Sequence, residues 1–457
     1  MLDNTVWQKL QDALRGELLT PEHATYDNAR KVFNTMIDKR PAAIARCTGA
    51  ADVLACVRFA RKHDLLVSVR GGGHNVAGKA VCDDGLVIDL SAMKAIRVDP
   101  ARRVAQAQPG LTLREFDREA QAFGLATTLG AVSMTGIAGL TLGGGLGWLM
   151  GKFGLACDNV LSLDVVTADG RLLNVNAEEH ADLYWGMRGA GHNFGVVTSF
   201  EYRLHPLGPV LAGVVAFRPE EGERMLKAYR DFSRSVPDDL TTGAGFLTLP
   251  DGTRTLVFPA CYAGKNPAEG DPVLRPLRTQ KGVLADLIKP GSYLEMQTAL
   301  DWAFPPNQYC YWKSAFLKEL SDDAIRVLVG FGATLPTPLS MIILEHVHGA
   351  AAEVAPDATA FPHRGEGFNL LIISSWPDPS DNEKNVAWTR NLWEAMQPFM
   401  RPGVYVNYLS EGEADDRVRA AYGPNHARLV ALKNKYDPTN FFRVNQNIRP
   451  AAPATSQ

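Results

Sequence analysis

The sequence predicts an α+β protein, and three observations carry that prediction. A strand–helix–strand run near the N-terminus ends in the cluster Gly71-Gly72-Gly73. Two further glycine-rich segments follow, one from Gly130 to Trp148 and one from Gly186 to Gly195. After His205-Pro-Leu-Gly-Pro209 the texture changes to strand-like runs separated by helical stretches, the pattern of a broad antiparallel sheet with helices to one side. With 457 residues there is room for two or three domains, or one large composite one. A composition of 46% hydrophobic and 21% charged residues fits a soluble globular protein with a sizeable core.

Charge and cysteine usage exclude several classes. A net charge of -3 leaves no electrostatic footprint for nucleic acid or an anionic membrane. The six cysteines form no CxxC pair, so neither a zinc site nor a disulfide framework is indicated and a reducing compartment is expected. The first ten residues lack a basic region and an apolar run, and no apolar stretch is long enough to span a bilayer. A cytoplasmic protein without membrane or nucleic-acid partners is the expectation.

Taken in order, residues 4–17 carry Val6, Leu10 and Leu14 at helical spacing. Residues 41–46 read as a strand. Val53, Val57 and Ala60 mark an amphipathic helix over 51–62 that feeds the strand at Val67 and Val69. That strand runs into the glycines and then His74, a βαβ-type start in which glycines let backbone N–H groups approach a phosphate. No GxGxxG occurs, which disfavours a conventional Rossmann finger. Strands resume at 85–90, 95–99 and 104–108. Thr112 and Glu115 stand at capping-box spacing before a helix that ends near Gly124. In residues 137–147 five are glycine, too entropically costly for plain core and suited to close backbone contact with a large flat ligand. Asp169-Gly170 makes a hairpin turn, and a short aromatic helix precedes the third glycine cluster. Within the later region, 210–217, 255–261, 309–316, 340–346 and 368–376 read as strands, and 219–235, 321–330 and 382–397 as helices.

The cluster Gly71-Gly72-Gly73-His74, the segment Gly136–Gly147 and the run from Asp182 to Thr198 together resemble the FAD-binding domain of the vanillyl-alcohol oxidase superfamily. Tyr405-Val-Asn-Tyr408 and the run from Lys435 to Asn447 narrow the resemblance to the berberine bridge enzyme-like flavoproteins of bacterial type. It covers about residues 40–205 and 403–450. It implies a PCMH-type two-subdomain FAD-binding fold with an inserted antiparallel-sheet substrate domain. The expected division is an N-terminal FAD-binding part over 1–205, a substrate domain over 206–402, and a segment over 403–457 that returns to the FAD domain. The exposed sheet face of the inserted domain would close over the flavin.

The resemblance also assigns residues. His74 matches the histidine bonded to the 8α-methyl of FAD, and the cysteine of bicovalent members is replaced by Ile137, so a single covalent link is expected. Cys157 is expected to be a packed core thiol and His192 structural. Cofactor contacts are expected from Arg70, Gly71, Gly72, Gly73, Asn75, Gly78, Gly130, Ser133, Gly136, Ile137, Gly139, Leu140, Gly143, Gly144, Gly147, Val197, Tyr405, Asn407, Asn445 and Asn447. A strand over 405–408 would point Tyr405 and Asn407 one way, and Val406 and Tyr408 the other. Tyr408 is the expected catalytic base, with Tyr405 next. A phenol titrating at about 10 is a poor base at neutral pH, so the site would need cations or hydrogen bonds that lower it. A helix from Pro424 to Lys435 would dock Leu429 and Leu432 inward.

The function implied is an FAD-dependent oxidoreductase that takes hydride from an alcohol or amine carbon of a sugar, aromatic alcohol or related small molecule. Molecular oxygen is the expected acceptor, giving hydrogen peroxide, and the protein a monomer or homodimer. A dehydrogenase using a quinone-type acceptor, an NADPH-dependent reductase and a non-catalytic flavin-binding protein are the alternatives. Tyr309, Tyr311, Trp312, Phe368 and Trp376 are the aromatic candidates for substrate stacking. No charged constellation in the inserted region names a substrate.

Overall fold

The first strand departs early from the helix before it. In the computed structural model, which describes residues 2–451, the opening helix is Asn4–Ala13, capped by the Asp3 carboxylate on Thr5 N. It stops short of residue 17 because Arg15 N and Gly16 N donate to the Asp52 carboxylate, at 2.9 and 3.2 Å. That turns the chain into the strand Glu17–Leu19, antiparallel to Ala43–Arg46. Met1 and residues 452–457, the end of the expected C-terminal segment, lie outside the described residues.

Ala43–Arg46 and Val67–Arg70 do not touch. Each pairs in parallel with Leu86–Asp89, which lies between them. The βαβ start is therefore a crossover, carried by the helix Ala50–Lys62, with a later strand filling its gap. Val53, Cys56, Val57 and Ala60 of that helix share a core with Val166 and Val196 of a second sheet. The second sheet has five strands in the order Ile96–Asp99, Val104–Ala107, Gly195–Arg203, Val160–Thr167 and Leu172–Asn176, all antiparallel. The capping box at Thr112 and Glu115 forms as its spacing predicts and opens the helix Leu113–Gln121.

The inserted region is an eight-stranded antiparallel sheet. Val210–Phe217 and Tyr309–Phe316 match their expected spans, while the central strand Leu240–Thr248 carries no period-2 pattern because all of it is buried. Met225, Leu226, Ile325, Leu328, Leu392 and Met396 of the helices Gly222–Ser233, Asp322–Gly332 and Asn382–Met396 pack on one face with Ile342, Leu344, Leu370 and Ile372. The alternating residues Met341, Leu371 and Ile373 face the other way, toward the N-terminal region.

The C-terminal segment packs back onto the five-stranded sheet, sharing a core in which Leu429, Leu432 and Ile448 meet Val165, Phe194 and Val197. Its last helix is His426–Tyr436. Pro424 sits before it, in the single turn Gly423–Asn425, not in its first turn. Among the described residues no helix is long and apolar enough to cross a membrane.

Candidate active site

A cleft enclosing about 2340 Å³ of space free of protein atoms, part of it open to solvent, runs between the glycine-rich loops and the uncovered sheet face.

The loop side is built from backbone. A Cβ on Gly72 would stand 2.6 Å from Gly136 Cα, and one on Gly136 would stand 2.5 Å from Gly72 N. The first two glycine clusters therefore cross in direct contact, and no other residue fits at either place. Gly73, with φ +68°, turns the chain to present His74. The imidazole lies on Phe33 with centroids 4.0 Å apart, and it lines the cleft. Its Nε2 is buried without a hydrogen-bond partner among the described residues. Burial pushes its pKa down to about 4, so the ring is neutral, as a nucleophile must be.

The third cluster anchors the C-terminal segment. Asn193 donates to Gln446 O at 3.3 Å, and its Oδ1 accepts from Ile448 N at 2.9 Å. Asn445 donates to His192 O at 2.8 Å and lines the cleft, its Oδ1 buried and without a partner among the described residues. His192, expected to be structural, also lines the cleft, with Nδ1 unpartnered among the described residues and its pKa lowered to about 4 by burial.

Residues 405–408 are not a strand. Val406–Tyr408 is a single 3₁₀ turn, so Tyr405 and Tyr408 fall three apart on one side and their rings meet edge-to-face at 4.7 Å. The Tyr405 oxygen accepts from Gly145 N at 2.9 Å and Asn407 Nδ2 at 2.7 Å, which makes it a strut for the second glycine turn. Tyr408 donates to Glu345 Oε1 at 2.8 Å, and Asn369 donates to the other carboxylate oxygen at 2.7 Å. Glu345 lies on Met341–Val347 in the register that faces the cleft. Burial raises its carboxyl above the ordinary value. Burial, with that carboxylate in front of it, raises the Tyr408 phenol well above 10. The expected lowering of Tyr408 by a neighbouring cation is thus reversed.

Gly71, Gly72, Gly73, His74, Asn75, Gly136, Gly139, Leu140, Gly147, Val197, Tyr405, Asn407, Tyr408 and Asn445 all reach the cleft. Several expected cofactor residues do not line it. Arg70 is spent on Asp89 and on the Ala29 and Lys31 carbonyls. Gly78 packs on Ile37, Gly130 on Leu113 and Leu140, and Gly144 on Phe361. Ser133 donates to Asp301, Ile137 is wholly buried in the core, Gly143 backs onto the Asn407 amide, and the Asn447 amide oxygen is buried outside the cleft. Of the aromatic candidates Trp312 alone lines the cleft; Phe368 belongs to the helix-side core and Trp376 stacks on Tyr309. Tyr311 receives the Arg390 guanidinium. Glu345 and Asn369 were missed, although a lone acid in the apolar strand Met-Ile-Ile-Leu-Glu-His-Val was a signal.

An FAD-binding-domain profile matches residues 41–176, and a berberine and berberine-like profile matches residues 404–449. The chain is 32% identical to (R)-6-hydroxynicotine oxidase of Paenarthrobacter nicotinovorans, over 96% of this chain and 97% of that protein. It belongs to the berberine bridge enzyme-like FAD-linked oxidoreductases. The crystal structure of 6-hydroxy-D-nicotine oxidase from Arthrobacter nicotinovorans superposes with a TM-score of 0.88 at 29% identity, covering 96% of this chain and 98% of that one. Carbohydrate oxidase from Microdochium nivale superposes at 0.86 with 25% identity, covering 98% and 100%. The expected PCMH-type fold with an inserted antiparallel sheet is borne out. The residues present fit the FAD of this oxidoreductase family: the crossed glycine backbones admit a flat cofactor, and unpartnered His74 Nε2, His192 Nδ1 and Asn445 Oδ1 await polar partners.

Proposed function

We propose that the protein is an oxidase that removes two electrons from an alcohol or amine carbon and passes them to O2, giving hydrogen peroxide. FAD supplies the electron-accepting chemistry when bound. In this reading residues 1–205 and 403–457 hold the cofactor and residues 206–402 hold the substrate. His74 anchors the cofactor covalently and alone. Support comes from its neutral ring, from Ile137 standing in the core, and from Cys157, which sits buried beside Asp158 and Arg364.

The observation that carries the reading is the Tyr408–Glu345 hydrogen bond at the sheet face of the cleft. Glu345 is the final proton acceptor. Tyr408 positions the substrate O–H or N–H and relays its proton, because a phenol already donating to a carboxylate gives up its own proton as it takes another. Names of the relatives as oxidases support O2 as acceptor.

The carboxylate accepts a proton only when ionised. Its pKa is raised, so the flavin-reduction rate rises with pH along a limb lying above the ordinary carboxyl value of 4.5, and falls as pH drops through it. Glu345→Gln keeps the shape and removes the acceptor. Reduction should slow by about 10²–10⁴-fold and the limb should vanish, in anaerobic stopped-flow measurements across pH. A variant that reduces at the wild-type rate with its limb intact sinks the assignment.

A further inference from the structure

We propose that Asn369 is a positioning residue: its side-chain amide fixes the orientation of Glu345 and sets the pH at which that carboxylate accepts a proton. The inference rests on the proposed proton transfer to Glu345. Asn369 lies on the strand Gly367–Trp376, wholly buried and followed by Leu370, Leu371, Ile372 and Ile373. An amide in so apolar a run is unfavourable unless it is hydrogen-bonded. Its bond runs to the acid of the cleft, because Asn369 and Glu345 stand opposite each other across two antiparallel strands.

The register leaves no substitute for this contact. On its other flank Glu345 pairs with Gly243, which has no side chain to offer. The carboxylate is therefore held at both oxygens. Asn369 Nδ2 donates to Oε2 at 2.7 Å, and the Tyr408 hydroxyl donates to Oε1 at 2.8 Å. The reverse amide orientation would set Asn369 Oδ1 against a carboxylate oxygen, acceptor facing acceptor. With Oε2 tied to the sheet, Oε1 is the oxygen left for exchange with Tyr408.

The same bond bears on protonation. Donation to a carboxylate favours its charged form, and so opposes the burial that raises the Glu345 carboxyl. Neither flanking strand, Leu240–Thr248 nor Gly367–Trp376, carries an ionisable residue. The 3₁₀ turn brings Tyr408 and, behind it, Tyr405, while His346 points from the same strand to the helix side. The loop side adds His74, Lys79 and His192 to the cleft.

The test uses holoprotein and reads Glu345 as the infrared C=O band of its protonated carboxyl, identified by its loss in Glu345→Gln. Asn369→Leu keeps the shape of the amide and removes the donor. The midpoint of the band should rise by about one to two pH units, and its frequency should increase as the bond is lost. Flavin reduction is followed anaerobically with whichever of benzyl alcohol, benzylamine and glucose bleaches the flavin. Its pH limb should move up by the same amount, while the plateau falls by less than about tenfold. A merely structural role would lower the plateau and leave the midpoint in place. An unmoved band overturns the role of Asn369, and Glu345 remains the acceptor if Glu345→Gln still removes the limb. A band that moves while the limb stays put overturns both. Where Asn369→Leu fails to fold, wild-type protein labelled with [15N]asparagine serves. One side-chain amide signal should then move with the midpoint of the Glu345 band, and the absence of any such signal overturns the inference.

Discussion

The two sides of the cleft are made of opposite materials. The loop side is backbone, glycine against glycine, with side chains such as His74 and Asn445 set at its margins. The sheet side is side chain, apolar residues from strands far apart in sequence, with Glu345 among them. In the proposed function the difference follows from what each side touches, a cofactor on the loop side and a substrate on the sheet side. A flat cofactor of fixed shape is met by close backbone approach, which few sequences allow. A substrate is met by whichever side chains a rigid sheet presents.

Four substitutions probe that contrast. On the loop side, His74→Ala should abolish covalent attachment, so acid precipitation should leave the pellet colourless and the supernatant yellow. Flavin that stays with precipitated variant protein would place the bond elsewhere. Gly72→Ala puts a Cβ 2.6 Å from the backbone of Gly136, where no flexible side chain can yield. A loss on the order of 4 kcal/mol is expected, together with most bound flavin, measured by denaturant unfolding and absorbance. A variant as stable as wild type would mean that the loops part easily.

On the sheet side the effects should fall on rate and pH, with flavin content unchanged. Tyr408→Phe removes the relay and leaves Glu345 in place, so flavin reduction should slow by about 10–10²-fold, less than with Glu345→Gln, while the pH limb remains. A larger loss than in the Glu345 variant would return the base to the tyrosine. The smallest effect concerns His346, which points from the same strand to the helix side and stacks on His348 with centroids 4.5 Å apart. Burial, reinforced by His348, lowers its pKa from 6.5 to about 3. The unfolded chain takes up a proton that the folded protein refuses. This group's contribution is therefore full above about pH 6.5 and is lost as pH falls toward 3. His346→Phe should flatten the acid loss of stability by up to about 1.4 kcal/mol per pH unit in that window. An unchanged profile would show that His346 titrates normally.

Legibility followed the same divide. Gly71-Gly72-Gly73-His74 could be read because glycine density is a local property with a local cost. The Tyr405–Tyr408 turn was misread as a strand, since alternating aromatic and polar residues fit a pleat as well as a 3₁₀ turn over so short a span. Arg70 was misjudged because its partner, Asp89, comes from a strand that pairs beside it only in the folded sheet.

By itself the sequence determined the cofactor class through the motifs that carry its family resemblance, and the loop that presents His74 and the antiparallel character of the inserted region through glycine content and strand-like runs, because each is written in contiguous residues. Tertiary structure alone decided the Tyr408–Glu345–Asn369 cluster on which the proposed proton path rests. Glu345 and Tyr408 lie 63 positions apart and Asn369 donates from a neighbouring strand, so their meeting depends on sheet register and on the return of the C-terminal segment. The pKa directions of that pair come from burial, which no local pattern of residues specifies.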